Sequence, residues 1–270
     1  MTARAAVTAA ALLAAALVCG LVLLRAGEAR FIYFPSHGYE ASPQQYGLHA
    51  ETVEIAASDG VRLRGWWVRG GGRMALLYFH GNAGNVSHRL DRTRTLVEAL
   101  DVDVALVDYR GYGRSDGRPG EAGLYADGEA IYAEARARGF SPDRIVLFGE
   151  SLGSAVAIET ALRQPARALI LEAPFLSVRR MARALLPIVP TFLLRTRFDN
   201  ESKIGRIGIP KLVAGSDRDD VVPFSQTRRL FELAAEPKTL HVVRGASHNN
   251  IYIVGGREYL DAWKTFLATD

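Results

Sequence analysis

The chain has a single cysteine, Cys19, which excludes an intrachain disulfide and any cysteine cluster that could hold a metal. It also lacks a strong charge of one sign. Its 33 basic residues face 29 acidic ones, a formal net charge of +4, and the arginines are interleaved with acids instead of forming a stripe. No nucleic-acid partner is expected from such a pattern. No internal repeat is visible, and the low-complexity character is confined to the N-terminus.

Long apolar runs are scarce too. Residues 5–24 form the one that could matter outside a core: uncharged, rich in Ala, Leu and Val, and bracketed by Arg4 and Arg25. That is about the 20 residues a helix needs to cross a bilayer. The expectation is an N-terminal anchor or signal segment over 1–28 followed by a catalytic domain over 29–270. A single-pass membrane protein with its domain on the extracytoplasmic side is the first reading, and secretion after signal cleavage is the alternative. Flanking charges give little orientation, because Arg4 faces Arg25 and Arg30, partly offset by Glu28.

Beyond residue 30 the chain is rich in alternation. Residues 31–46 carry aromatics with Pro35 and Pro43 and read as an irregular collar. Thr52–Ala56 and Val61–Val68, joined through Ser58-Asp59-Gly60, alternate with period two and predict an antiparallel hairpin. Continuous apolar runs then recur at Met74–Phe79, Val102–Val107, Ile145–Phe148, Ala168–Leu171, Lys211–Ala214 and Thr239–Val243. Helical periodicity separates them over Val86–Ala99, Glu121–Arg138, Leu152–Leu162, Phe224–Ala234 and Glu258–Leu267. Short runs without alternation suit strands buried on both faces, so the order predicts an α/β fold: a mostly parallel sheet with helices on both faces. The stretch 174–208 is too long for a plain crossover and mixes leucines with arginines, which suggests an inserted helical lid.

Two copies of Gly-x-Ser-x-Gly compete for a catalytic role. Ser151 stands between the strand ending at Phe148 and a helix, with Gly149 and Gly153 on either side. This is the strand–turn–helix context that raises a serine hydroxyl above a sheet. Ser115 instead lies several residues beyond its strand and is followed by Gly117-Arg-Pro119-Gly120, which is loop chemistry. The N–H of Leu152, at a helix start, could donate to a developing oxyanion.

A serine needs a base to become a nucleophile. Of six histidines, His37 and His49 precede the sheet, His88 lies in a helix and His241 within a strand. His80 and His248 follow strands, and the chain order nucleophile, acid, base selects His248. The loop His80-Gly-Asn82 could supply the second oxyanion donor, assigned to the N–H of Asn82 over Gly81 and Ala83. An orienting acid should follow a strand between Ser151 and His248, where Asp217, Asp219 and Asp220 all qualify and spacing does not choose among them.

His-Gly-Asn at 80–82, Asp-Tyr-Arg-Gly-Tyr-Gly-Arg-Ser at 108–115, Gly-Glu-Ser-Leu-Gly at 149–153, Asp-Asp-Val-Val-Pro at 219–223 and Gly-Ala-Ser-His-Asn at 245–249 stand in the order of the α/β-hydrolase superfamily. Over 31–267 the chain resembles its short-lidded, membrane-anchored branch, grouped with serine aminopeptidase and dipeptidyl-peptidase-like domains. The resemblance implies an α/β-hydrolase fold and a triad of Ser151, His248 and an acid four residues before Pro223, hence Asp219. Gly215 lies one residue further from Asp219 than the family's usual glycine does, which leaves Asp217 and Asp220 open. It also implies that Ser115 belongs to a structural turn.

The function expected is serine-dependent hydrolysis of a carboxylic ester or thioester, with a small-molecule or acyl substrate, no metal and no organic cofactor. A peptidase or amidase, or an acyltransferase using the same acyl-enzyme, is the alternative. A non-catalytic scaffold should have lost a triad member, and none is missing.

Overall fold

The computed structural model describes residues 27–185 and 190–268, together with Arg4, Thr8, Leu12 and Gly20. Residues 27–32 form the described part of helix α1. A two-residue strand β1 (Phe34–Pro35) comes next, paired in parallel with β5 (Ala83–Gly84). The main sheet contains β2 (Ala50–Ala56), β3 (Arg62–Val68), β4 (Met74–Phe79), β6 (Val102–Val107), β7 (Ile145–Glu150), β8 (Ala168–Glu172), β9 (Lys211–Ser216) and β10 (Lys238–Val243). Their spatial order is β10-β9-β8-β7-β4-β6-β3-β2.

The hairpin lies at one edge. β2 runs antiparallel to β3, with Ala50 opposite Val68, and β3 runs antiparallel to β6. All other neighbours are parallel. The α/β fold, its mostly parallel sheet and its N-terminal antiparallel strands are therefore as the sequence implies.

The apolar runs are continuous because each strand feeds two cores. Along β7, Ile145 and Leu147 pack into one core with residues of α3 (Glu121–Ala137) and α4 (Leu152–Arg163). Val146 and Phe148 point into the other, with residues of α2 (Leu90–Leu100) and α7 (Ile251–Ala268). Alternate residues thus face opposite helical layers, and neither face can be polar. Helix α6 (Phe224–Leu233) adds Leu230 to the first core.

Two expectations need correction. The final helix begins at Ile251, not Glu258, because it bends at Gly256 (φ 49, ψ −130), and the Gly255-Gly256 pair interrupts the helical pattern. The single-pass membrane anchor is not supported either. Nearly all of residues 5–24 lies outside the described residues, and no helix among the described residues is long and apolar enough to cross a membrane. The longest of them, α7 with 18 residues, carries Arg257, Glu258, Asp261 and Lys264. Burying four charged side chains in hydrocarbon is prohibitive, so α7 is not a span, and the membrane partner and single-pass localisation expected from residues 5–24 find no support among the described residues.

Between β8 and β9 the chain leaves the layered pattern. Helix α5 (Val178–Leu185) places Val178, Met181, Ala182 and Leu185 on one face at helical spacing, with Arg179, Arg180 and Arg183 between them. A 3-10 turn at Thr191–Leu193 and an irregular arm over 194–203 return to the sheet.

Candidate active site

Ser151 lies between β7 and α4 with φ 51 and ψ −114, a left-handed conformation that a side chain with a Cβ adopts only under constraint. The constraint is close packing on both sides. A Cβ on Gly153 would lie 1.9 Å from the carbonyl oxygen of Phe79, and one on Gly149 would lie 2.5 Å from the carbonyl oxygen of Gly153. Only glycine permits α4 to start this close to β4 and β7. The N–H of Ser151 donates to the Glu172 carbonyl at 2.8 Å, and its carbonyl accepts from the Ser154 hydroxyl at 2.5 Å.

His248 follows β10 in a short 3-10 turn and faces this serine. Its Nε2 is 3.0 Å from Ser151 Oγ, and its Nδ1 is 2.8 Å from Asp219 Oδ2 and 3.0 Å from Oδ1. Asp219 is itself held, since Oδ1 accepts the N–H groups of Val221 and Val222 at 2.9 and 2.7 Å. The neighbouring acids have other partners: Asp217 accepts the Gly245 N–H at 2.7 Å, and Asp220 accepts the His248 N–H at 2.9 Å. The three acids thus divide between the imidazole and the backbone of the loop that carries it. Burial alone would push the His248 imidazole down, but the hydrogen bond and charge of Asp219, helped by Glu150 and Glu172, raise it above the ordinary 6.5.

The other candidates fall elsewhere. The Ser115 hydroxyl donates to the Asp108 carbonyl and accepts the Arg64 N–H, each at 2.8 Å, so it ties a turn to β3. His80 is fully buried against Tyr109 and Tyr112, with Nδ1 2.8 Å from the Gly81 carbonyl. Burial, with Arg89 nearby, lowers its pKa to about 3, so it is a neutral packing residue. Asn82 shares a cleft with Ser151 and Leu152. Its carbonyl accepts Phe34 N–H and Tyr112 hydroxyl at 2.9 Å each, and its side chain donates to the Ile32 carbonyl at 3.0 Å. The N–H of Leu152 is the first of α4 and has no acceptor within the helix.

Residues 72–203 match a family model described as serine aminopeptidase, S33. An uncharacterised protein of Mycobacterium tuberculosis is 39% identical over 245 residues, 89% of this chain and 87% of that one. The alpha/beta hydrolase domain-containing protein WAV2 of Arabidopsis thaliana is 32% identical over 281 residues, 93% of this chain and 89% of that one. The chain belongs to the α/β-hydrolase superfamily. An esterase of Pyrococcus furiosus has the same fold, with a TM-score of 0.73 at 18% identity over 87% of this chain and 97% of that one.

In this hydrolase the serine sits over a buried charge network that the sequence did not reveal. Arg92 of α2 and Glu172 at the end of β8 are 4% and 2% exposed and pair through two bonds of 2.7 and 2.5 Å. The Tyr259 hydroxyl donates to Glu172 at 2.5 Å, and the guanidinium lies over the rings of Phe148 and Tyr252. Glu150, just before Ser151, accepts the Tyr78 hydroxyl at 2.5 Å and pairs with Arg89 at 3.2 Å. Burial opposes its ionisation, yet Arg89 and Arg92 hold its pKa down at about 2.

The cleft above Ser151 has a volume of about 460 Å³. Its walls are mainly apolar: Phe31, Ile32 and Phe34 from the N-terminal collar, and Val178, Met181 and Leu185 from α5. The α5 residues fall within the stretch 174–208 that the sequence sets apart as an insertion. Sequence reasoning missed the collar wall, although the aromatics of residues 31–34 were a visible signal.

Removing one partner of a buried bidentate pair strands the other charge, a loss of about 3–5 kcal/mol. Arg92→Ala is expected to lower the unfolding free energy by about that amount in urea titrations. A loss below about 1 kcal/mol, the range of an exposed pair, would contradict the role given to this network.

Proposed function

We propose that this hydrolase cleaves carboxylic esters or thioesters of apolar acyl chains through an acyl-enzyme on Ser151. The observation that carries the reading is one continuous relay, Ser151 to His248 to Asp219, opening onto an apolar cleft. As Ser151 Oγ attacks the acyl carbonyl, His248 Nε2 takes its proton, and the carbonyl oxygen becomes an anion. The backbone N–H groups of Leu152 and Asn82 are assigned as its donors. The tetrahedral centre collapses, the C–O or C–S bond breaks, and His248 returns the proton to the leaving alkoxide or thiolate. Water then attacks the acyl-enzyme, His248 accepting its proton and passing it to Ser151 as the free acid departs. Asp219 keeps Nδ1 protonated and stabilises the imidazolium in both halves.

An aminopeptidase would need a free acid in the cleft to grip an amino terminus. Glu28 lines the cleft, but both its oxygens accept lid N–H groups, which favours the acyl reading. Product analysis with alcohol acceptors present separates acyl transfer from hydrolysis.

Ser151→Ala is expected to abolish fluorophosphonate labelling and ester turnover while the protein stays folded, whereas Ser115→Ala keeps both. Label persisting on the Ser151 variant would sink the assignment.

Because the base must be neutral, kcat/KM should rise with pH through an inflection above 6.5, the imidazole's ordinary value. Asp219→Asn removes the charge that raises it, so the inflection should move to lower pH and kcat should drop by about 10⁴-fold, as for a triad that has lost its orienting acid. Asp217→Asn and Asp220→Asn should stay within about tenfold of wild type, as for exposed loop acids. A dead Asp217 or Asp220 variant beside an active Asp219 variant would move the acid.

The apolar cleft predicts that kcat/KM rises from acetate to decanoate esters. Equal values along the series would remove the acyl-chain assignment.

A further inference from the structure

Glu28 lies in α1 and is only 6% exposed. A carboxylate taken out of water needs strong partners, and its hydrogen bonds go to backbone. Oε2 accepts the N–H of Arg195 at 3.1 Å, and Oε1 accepts that of Thr196 at 2.8 Å. The next two N–H groups, of Arg197 and Phe198, donate to Oε2 and Oε1 of Glu121 at 2.6 and 2.9 Å. Four successive backbone donors are therefore accepted in pairs by two carboxylates from elements remote in sequence. The segment they hold is the return arm of the lid. Leu194 beside it lines the cleft, the Arg197 carbonyl accepts the N–H that opens α5, and Phe198 is fully buried.

We infer that Glu28 is a positioning residue for substrate specificity: by clamping the lid arm to helix α1 it sets the acyl cleft between the collar and α5. Phe31 and Ile32, which follow Glu28 in α1, share that cleft with Val178, Met181 and Leu185 of the lid helix. Neither wall belongs to the parallel sheet, so their separation depends on what joins them. The clamp matters for acyl chains long enough to reach past Ser151 and Leu152 to these walls, and little for an acetyl group. The chemistry also explains why an acid stands here. A carboxylate presents two acceptors to two N–H groups, whereas an amide of the same size would turn a donor against one of them.

The inference rests on the acyl-ester reading, and the test separates the two. In the full-length protein, Glu28→Gln preserves volume while replacing one acceptor by a donor. Trypsin cleavage after Arg195 and Arg197 reports release of the arm without reference to activity, and should accelerate about tenfold when one buried donor loses its acceptor. The decanoate-to-acetate ratio of kcat/KM should fall by about the same factor, through a higher KM for decanoate. Glu28→Asp, which keeps the charge but shortens the reach, should lie between wild type and Glu28→Gln, and serves in place of the amide variant if that does not fold. Unchanged cleavage overturns the clamp, and faster cleavage with an unchanged ratio overturns its role in specificity. Fluorophosphonate labelling of wild-type Ser151 in the same samples reads the underlying function. Its absence would count against the acyl-enzyme, while the proteolysis still decides the clamp.

Discussion

The contact between Gly153 and the Phe79–His80 backbone is the constraint on which the site depends. With no Cβ in the way, the first turn of α4 packs against the end of β4, where a methyl group would meet the Phe79 and His80 carbonyl oxygens at 1.9 and 2.8 Å. That approach forces the turn at Ser151 into its left-handed conformation. It also brings the start of α4, with Leu152, beside the loop that carries Asn82. The backbone geometry of Ser151 and the placement of the N–H groups proposed as oxyanion donors therefore both depend on one packing contact, and a substitution at Gly153 would disturb both.

Beneath the turn, the charge network keeps that strained arrangement in place. The Glu172 carbonyl holds the Ser151 N–H, and the Glu172 side chain is fixed by Arg92 and Tyr259. Glu150 is kept ionised by its arginine neighbours, and together with Glu172 it favours a positive charge on His248. Glu172 thus supports the backbone of Ser151 and, with Glu150, the positive charge state of His248. Because the network is desolvated, its interactions are stronger than they would be at the surface, and so is the penalty for breaking it.

Much of this was legible in the sequence because it follows from local pattern. Six apolar runs read as strands lie in the sheet, and the hairpin, the lid helix and the turn at Ser151 all announce themselves through periodicity and glycine. The features that stayed hidden depend on direction or distance. Asp217, Asp219 and Asp220 share one loop; spacing alone does not choose among them and the family resemblance points to Asp219, while the three-dimensional turn sets Asp219 against Nδ1 of His248 and the other two against the N–H groups of Gly245 and His248. Arg92 looks like any arginine of an amphipathic helix until the fold sets it against Glu172, 80 residues away. Glu28, at the edge of an apolar N-terminal segment, reads as a flanking charge, and its bonds to Arg195 and Thr196 cross most of the chain. The hydropathy that suggested a membrane anchor is a property of composition alone, and the described helices do not support it.

Everything proposed for the reaction turns on a covalent bond to Ser151. The most direct measurement is intact-mass analysis of the full-length protein quenched with acid during turnover of p-nitrophenyl decanoate, followed by peptide mapping. A single decanoyl adduct is expected on the peptide containing Ser151, and none in Ser151→Ala. An adduct mapping to Ser115, or undiminished turnover by Ser151→Ala with no adduct at all, would contradict the acyl-enzyme.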